Sequence, residues 1–161
     1  MGKARDLVRM SDAEVEAFLH GSHSLQMATL NAEGSPHLTT VWFALDGQLN
    51  NGGTILFETY GKSQKIVNLL RDPRVAVLAE AGTTYDQLRG VSINGRAEVV
   101  AENPERTALM AVLVAHHFAG QSAEQVRATA AKMAEKRVVV RVTPEKTMSW
   151  DHRKLGGKGP V

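Results

Sequence analysis

The 161-residue sequence contains no cysteine. That absence excludes disulfides, thiolate nucleophiles and cysteine-held metal or iron–sulfur centres. Aromatic residues are scarce, at 5%, too few for a platform that stacks single-stranded nucleic acid. Charge of one sign is also lacking. Nineteen lysines and arginines stand against 17 acidic residues, which builds no cationic field for duplex DNA or RNA. No run approaches the roughly 18 apolar residues of a membrane-spanning helix. The segment Met1 to Met10 lacks the apolar core of a signal peptide. These absences predict a cytoplasmic protein that binds neither nucleic acid nor membrane. No glycine pattern matches a Walker A loop or a dinucleotide fingerprint, because Gly52-Gly53 precede a strand instead of opening a helix. No serine-nucleophile signature occurs. Six histidines are present, but none in a His-Glu-x-x-His pattern. The adjacent His116 and His117 point about 100° apart on a helix, so no metal site is expected.

What is present fits one globular domain spanning residues 1–161, with ends at 1–10 and 156–161 that read as flexible. Ser11-Asp12-Ala13-Glu14 is a capping box. It opens a helix with Val15, Phe18 and Leu19 on one face, ended by Gly21. Ser24 to Ala32 and His37 to Leu45 read as strands around the turn Glu33-Gly34-Ser35-Pro36, a hairpin. Thr54 to Thr59 is a third strand, Arg74 to Glu80 a fourth, and Arg89 to Ala101 a long fifth with a bulge expected at Gly95. Two helices follow, one begun by Asn103-Pro104 and one by the capping box Ser122 to Gln125. Lys136 to Thr143 is a strand that Pro144 is expected to break, leaving Lys146 to Asp151 as a separate last strand. The order is not an alternating βαβ series. It predicts a mainly β, α+β fold: an antiparallel barrel with helices at its ends.

The segment Thr59-Tyr60-Gly61-Lys62-Ser63-Gln64-Lys65 joins the third strand to an amphipathic helix in which Ile66, Leu69 and Leu70 recur at helical spacing before Asp72-Pro73. Two lysines and two hydroxyls therefore stand where a helix begins. A helix N-terminus offers free N–H donors and partial positive charge, which suits a phosphate. Ordinary lysines in a solvated first turn are the alternative for this segment taken alone.

His37-Leu38-Thr39-Thr40-Val41-Trp42-Phe43, Thr59-x-x-Lys62-Ser63-x-Lys65 and Asp72-Pro73-Arg74-Val75, in that order, resemble the FMN-binding split barrel of the pyridoxamine 5'-phosphate oxidase-like superfamily. Ser149-Trp150-Asp151-His152-Arg153-Lys154-Leu155 is similar to its actinobacterial branch, the flavin/deazaflavin oxidoreductase B group that uses coenzyme F-420. The resemblance spans about Ser11 to Leu155. It implies an antiparallel split β-barrel, homodimeric, with two cofactor sites in the interface. Lys62 and Ser63, with Thr59 and Lys65, would hold the cofactor phosphate. Thr40, Val41 and Trp42 would lie along the tricyclic ring, with Thr39 and Phe57 beside them. Trp150, Asp151 and Lys154 of the partner's tail would close the site, and Arg153 and Lys158 would meet an oligoglutamate tail. Members often carry proline where this chain has Thr40. The implied activity is hydride transfer from reduced F-420 to a small conjugated or unsaturated substrate. Alternatives are an FMN-dependent enzyme of the same fold and a non-catalytic binder of cofactor, haem or tetrapyrrole.

Overall fold

The structure is a computed structural model that describes residues 6–156. Helix α1 (Asp12–His20) leads into β1 (Ser24–Leu30) and β2 (Pro36–Asp46). Next come β3 (Thr54–Tyr60), α2 (Gln64–Arg71), β4 (Arg74–Ala81) and β5 (Arg89–Val100). Helices α3 (Glu105–His117) and α4 (Ala123–Ala134) precede β6 (Arg137–Asp151). All ladders are antiparallel. They close in the order β1-β2-β3-β6-β5-β4, the expected barrel.

Strand periodicity explains where each side chain goes, since alternate residues face opposite sides. Leu25, Met27, Val41, Phe43, Ile55, Phe57, Val77, Ile93 and Val140 fill the barrel. Helix α1 seals one end with Val15 and Leu19, and α2 plugs in Ile66 and Leu69. The intervening residues Ala44, Leu56, Val100 and Val139 point outward and are also buried, because α3 and α4 cover them with Leu109, Met110, Leu113, Val114 and Ala130. That second layer explains why β3 reads as a near-continuous apolar run.

Both capping boxes form, at Ser11/Glu14 and at Ser122/Gln125. In the first hairpin Gly34 takes φ 89°, where a side chain would be strained. Three expectations need correction. Pro144 does not break the last strand: β6 runs unbroken for 15 residues. A register shift between Asn94 and Gly95 leaves Glu145 as an extra residue on β6, and at such a bulge proline loses no ladder bond. Gly95 lies opposite, where a Cβ would sit 2.3 Å from the Thr143 carbonyl oxygen. The third helix starts at Glu105, with Pro104 in the cap position and no side-chain cap. The Asn103 Oδ1 accepts instead from the Thr107 hydroxyl at 2.7 Å. Finally, the N-terminal approach is not loose throughout. Met10 is buried and donates its N–H to Ser149 Oγ at 3.1 Å. The expectations for residues 1–5 and 157–161, including Lys158, lie outside the described residues.

Candidate functional site

The barrel is split along one seam. Strand β2 pairs with β1 from Trp42 down to Pro36, but with β3 only from Phe43↔Phe57 to Asp46↔Thr54. On its other side β3 continues with β6 as far as Tyr60↔Arg137. Among the described residues no ladder joins Thr39–Trp42 to Glu58–Tyr60. The opening is propped by side chains. Trp42 leans on His117 of α3, ring centroids 5.2 Å apart. Arg137 grips both oxygens of Glu58 at 2.7 and 2.6 Å and lies 4.5 Å over the Tyr60 ring. At the edge of the opening, Thr39 Oγ1 is enclosed with no hydrogen-bond partner among the described residues. Such an enclosed hydroxyl needs a partner that this arrangement does not supply.

At the lower end of the split, the turn after β3 starts α2. Ser63 N–H donates to the Tyr60 carbonyl at 3.0 Å. Ser63 occupies the N-cap of α2, yet its hydroxyl makes no cap bond. It turns instead toward Thr59 Oγ1 at 3.4 Å. Lys65 Nζ donates to the same Thr59 oxygen at 3.4 Å. Two hydroxyls and an ammonium thus converge on an uncapped helix N-terminus, with exposed Lys62 beside them. The donors and the local positive potential suit an anion. A buried polar network fixes α2 in place. Asn68, with no exposed surface, donates to Thr29 Oγ1 at 3.1 Å and Asn31 Oδ1 at 3.0 Å, and accepts from Gln64 Nε2 at 3.0 Å.

The other predicted positions divide. Thr40 and Trp42 face outward, Trp42 with 59% of its surface exposed, so Trp42 is not a core residue. Val41 points into the barrel and offers the split only its backbone. Phe57 must be corrected: it is wholly buried in the barrel core, because its position in the strand alternation points it inward, away from any ring in the opening. Trp150, Asp151, Arg153 and Lys154 lie elsewhere in the same protomer. Thr40, Gln26, Leu78, Ser92 and Met148 form one row across β2, β1, β4, β5 and β6. Met148 therefore lies four strands along the barrel wall from Thr40, with Trp150 further along β6.

Around Trp150 the chain satisfies its own charges. The Trp150 ring lies against Gly90, where a Cβ would come 2.4 Å from Cζ2. Buried Asp151 accepts both Nε and Nη2 of Arg153, at 2.9 and 2.6 Å. These bonds hold its carboxyl below the ordinary range even though burial pushes the other way. Lys154 Nζ donates to the Arg9 carbonyl at 2.8 Å and to Glu14 at 2.6 Å. A cavity of about 710 Å³ opens beside them, lined by Arg9, Leu78, Ser92, Met148, Trp150 and His152.

Sequence reasoning missed Glu58, Arg137 and His117 as neighbours of the split. Glu58 carried a signal, being a lone carboxylate within an apolar strand, but its partner Arg137 lies 79 residues away. At His116 and His117 burial is the main cause of a lowered imidazole pKa, and neighbouring histidines add to it.

Comparison with known proteins bears on all of this. Residues 11–151 match the family model described as pyridoxamine 5'-phosphate oxidase. An F420H(2)-dependent biliverdin reductase of Mycobacterium tuberculosis (strain CDC 1551 / Oshkosh) is 36% identical over 99 residues, 62% of this chain and 66% of that protein. The matched part thus falls just short of two thirds of that relative. A conserved hypothetical protein of Mycobacterium tuberculosis, known as a crystal structure, is 40% identical, with 98% of this chain and 94% of that chain covered and a TM-score of 0.86. A structure described as an F420 reductase, 23% identical with a TM-score of 0.58 over 82% of this chain and 94% of that one, shares the fold.

Proposed function

The chain belongs to the pyridoxamine 5'-phosphate oxidase family, and from that premise we propose that it is an oxidoreductase using the deazaflavin coenzyme F-420. In this reading it passes hydride from the reduced coenzyme to a small conjugated or unsaturated acceptor. The observation that carries the reading is the meeting of Thr59, Ser63 and Lys65 at the uncapped start of α2, directly below a split whose β2 edge is unladdered. The residues fit the group. The cluster would hold its phosphate, with Lys62 adding charge. Thr40, Trp42 and the Val41 backbone would flank its ring, with Thr39 beside them. The relative that uses F420H(2) supports deazaflavin over flavin.

When bound, the coenzyme supplies the hydride; the protein's part is binding, orientation and exclusion of water. The split would hold the coenzyme's planar ring, and the Glu58–Arg137 pair beside it would help to exclude water.

A second copy of the chain completes the site. Leu38 and Trp42 are exposed apolar residues on the outer face of β2, and the row from Thr40 to Met148 continues that face across five strands. Gln26 in that row has an enclosed Oε1 without a partner among the described residues. Covering this face in a homodimer would bring Trp150, Asp151, Arg153 and Lys154 of one protomer toward the split of the other. Light scattering should then give twice the protomer mass.

The decisive test is a fluorescence titration of apo-protein with F-420 and, in parallel, FMN. Low-micromolar F-420 binding with weak FMN binding supports the reading, and reduced F-420 should then be oxidised by added conjugated acceptors. FMN preference would assign the split to flavin chemistry. Binding of neither would favour a binder of haem or tetrapyrrole without turnover.

A further inference from the structure

The cavity of about 710 Å³ beside Trp150 falls in the range of roughly 300–1,000 Å³ that takes a small-molecule ligand. Its wall is the outer face of β4, β5 and β6, with Leu78, Ser92, Met148 and Trp150. Asp6 and Arg9 border it from the N-terminal side. Their charges are opposite, so together they call for no ion. The cations of the tail are already engaged, Arg153 with Asp151 and Lys154 with Glu14. The distinctive polar group on the wall is His152. Its ring lies against Tyr85, centroids 4.6 Å apart, and its Nδ1 is 2.9 Å from the Tyr85 carbonyl oxygen. A carbonyl only accepts, so Nδ1 is the donor and holds a proton. In the neutral ring the lone pair is then on Nε2. That atom is not among the enclosed polar atoms, and it makes no hydrogen bond among the described residues.

We infer that His152 determines which acceptors this protein takes: the cavity receives a flat, uncharged, conjugated molecule, and His152 Nε2 accepts one N–H or O–H from it. Size, polarity and charge each narrow the class. A cavity of about 150 Å³ holds benzene, so this one admits several fused or linked rings. Leu78, Met148 and Trp150 reward apolar surface, and the Trp150 ring favours an aromatic partner. A ligand that covers Nε2 without offering a donor strips water from it and returns nothing. Lactams, pyrroles and phenols are therefore preferred over quinones and simple enones. That the occupant is the hydride acceptor rests on the coenzyme reading and on the second copy that brings this face to the split. The cavity and the fixed His152 ring depend on neither.

The test uses the full chain without coenzyme at pH 8. 2-Quinolinone, a flat unsaturated lactam, and 1-methyl-2-quinolinone, which lacks its N–H, are titrated while the His152 ring and Met148 methyl resonances are followed by NMR. Saturable shifts at both residues are expected, with the N–H lactam binding about tenfold more tightly, the worth of one hydrogen bond. In His152→Asn the side-chain amide still offers an N–H to the Tyr85 carbonyl but brings nothing to the place of Nε2. There the preference should vanish while 1-methyl-2-quinolinone binding persists, a change in ratio that a merely structural His152 would not produce. Ser92→Trp, which fills the cavity from β5, should abolish binding of both probes; an unchanged circular dichroism spectrum confirms its fold, and this variant carries the test if His152→Asn does not fold. No saturable shift at about 10 mM probe, a Kd range far weaker than any specific site, overturns the site. Equal binding of the two lactams, or a preference that survives His152→Asn, overturns the role given to Nε2. The F-420 titration is read separately: coenzyme binding alongside either of these failures leaves the coenzyme reading standing and strikes this inference alone.

Discussion

Replacing Asn68 tests whether the phosphate-side helix is held by a polar lock or by its apolar face. Asn68 has no exposed surface, and its amide makes two donations, to Thr29 and Asn31, and accepts from Gln64 at 3.0 Å and from Arg71 at a longer 3.4 Å. In Asn68→Leu all four bonds go. Each is worth about 1 kcal/mol net, and the buried Thr29 hydroxyl adds a desolvation penalty of about 1–3 kcal/mol. The restored apolar volume offsets part, so a loss of about 2–4 kcal/mol is expected. For a chain of this length that lowers the melting temperature by roughly 5–15 °C. Urea unfolding followed by circular dichroism, at fixed protein concentration, measures it. Adding Thr29→Val should recover about 1 kcal/mol or more, since removing both partners is far cheaper than removing one. A loss below about 0.5 kcal/mol in Asn68→Leu, or no recovery in the double variant, would refute the reasoning.

Other outcomes follow from the same geometry. Lys62→Ala and Lys65→Met should each weaken coenzyme binding about 10- to 100-fold, the range for a charged hydrogen bond, with the fold unchanged; titration by coenzyme fluorescence reads it. Gly90→Ala places a methyl where the Trp150 ring lies, so Trp150 emission should shift and any assembly through that face should weaken, seen by light scattering. For Asp151 the folded carboxyl titrates low. The stability it contributes is therefore full above the unfolded value near 3.9 and is lost as pH falls through the folded value. Asp151→Asn should flatten the loss of urea midpoint below about pH 4. His116 and His117 work from the other side: burial lowers their folded values. Below about pH 6.5 the unfolded chain takes up protons that the folded chain refuses, so stability falls with pH. His117→Phe should make the midpoint less sensitive between about pH 5 and 6.5.

Elements were legible wherever local chemistry decides them. Capping boxes, the Gly34 turn and the apolar period of α2 are short-range signals, and each element formed close to its expected bounds. Pro144 misled because its tolerance depends on Gly95, 49 positions earlier, giving β6 room to bulge. Phe57 misled because inward and outward positions of β3 are both apolar, the one set for the barrel and the other for α3 and α4. At the site, the cluster around Ser63 was readable because strand, turn and helix are contiguous. The Glu58–Arg137 brace and the Trp42–His117 contact were not, since only tertiary packing brings them together.

The placement of β6 bears on how the barrel is made during synthesis. It is the last strand in chain order, yet it sits between β3 and β5. Until it is synthesised, the earlier strands can form at most an open sheet in the order β3-β2-β1-β4-β5, with two bare edges. Those edges carry Ile55, Leu56 and Phe57 on one side and Val91 and Ile93 on the other, segments that invite pairing with other chains. A strand with Val138, Val139, Val140 and Val142 must enter that gap to close the ring. Nascent chains are thus most exposed to aggregation, and most in need of chaperones, in the interval before β6 is released.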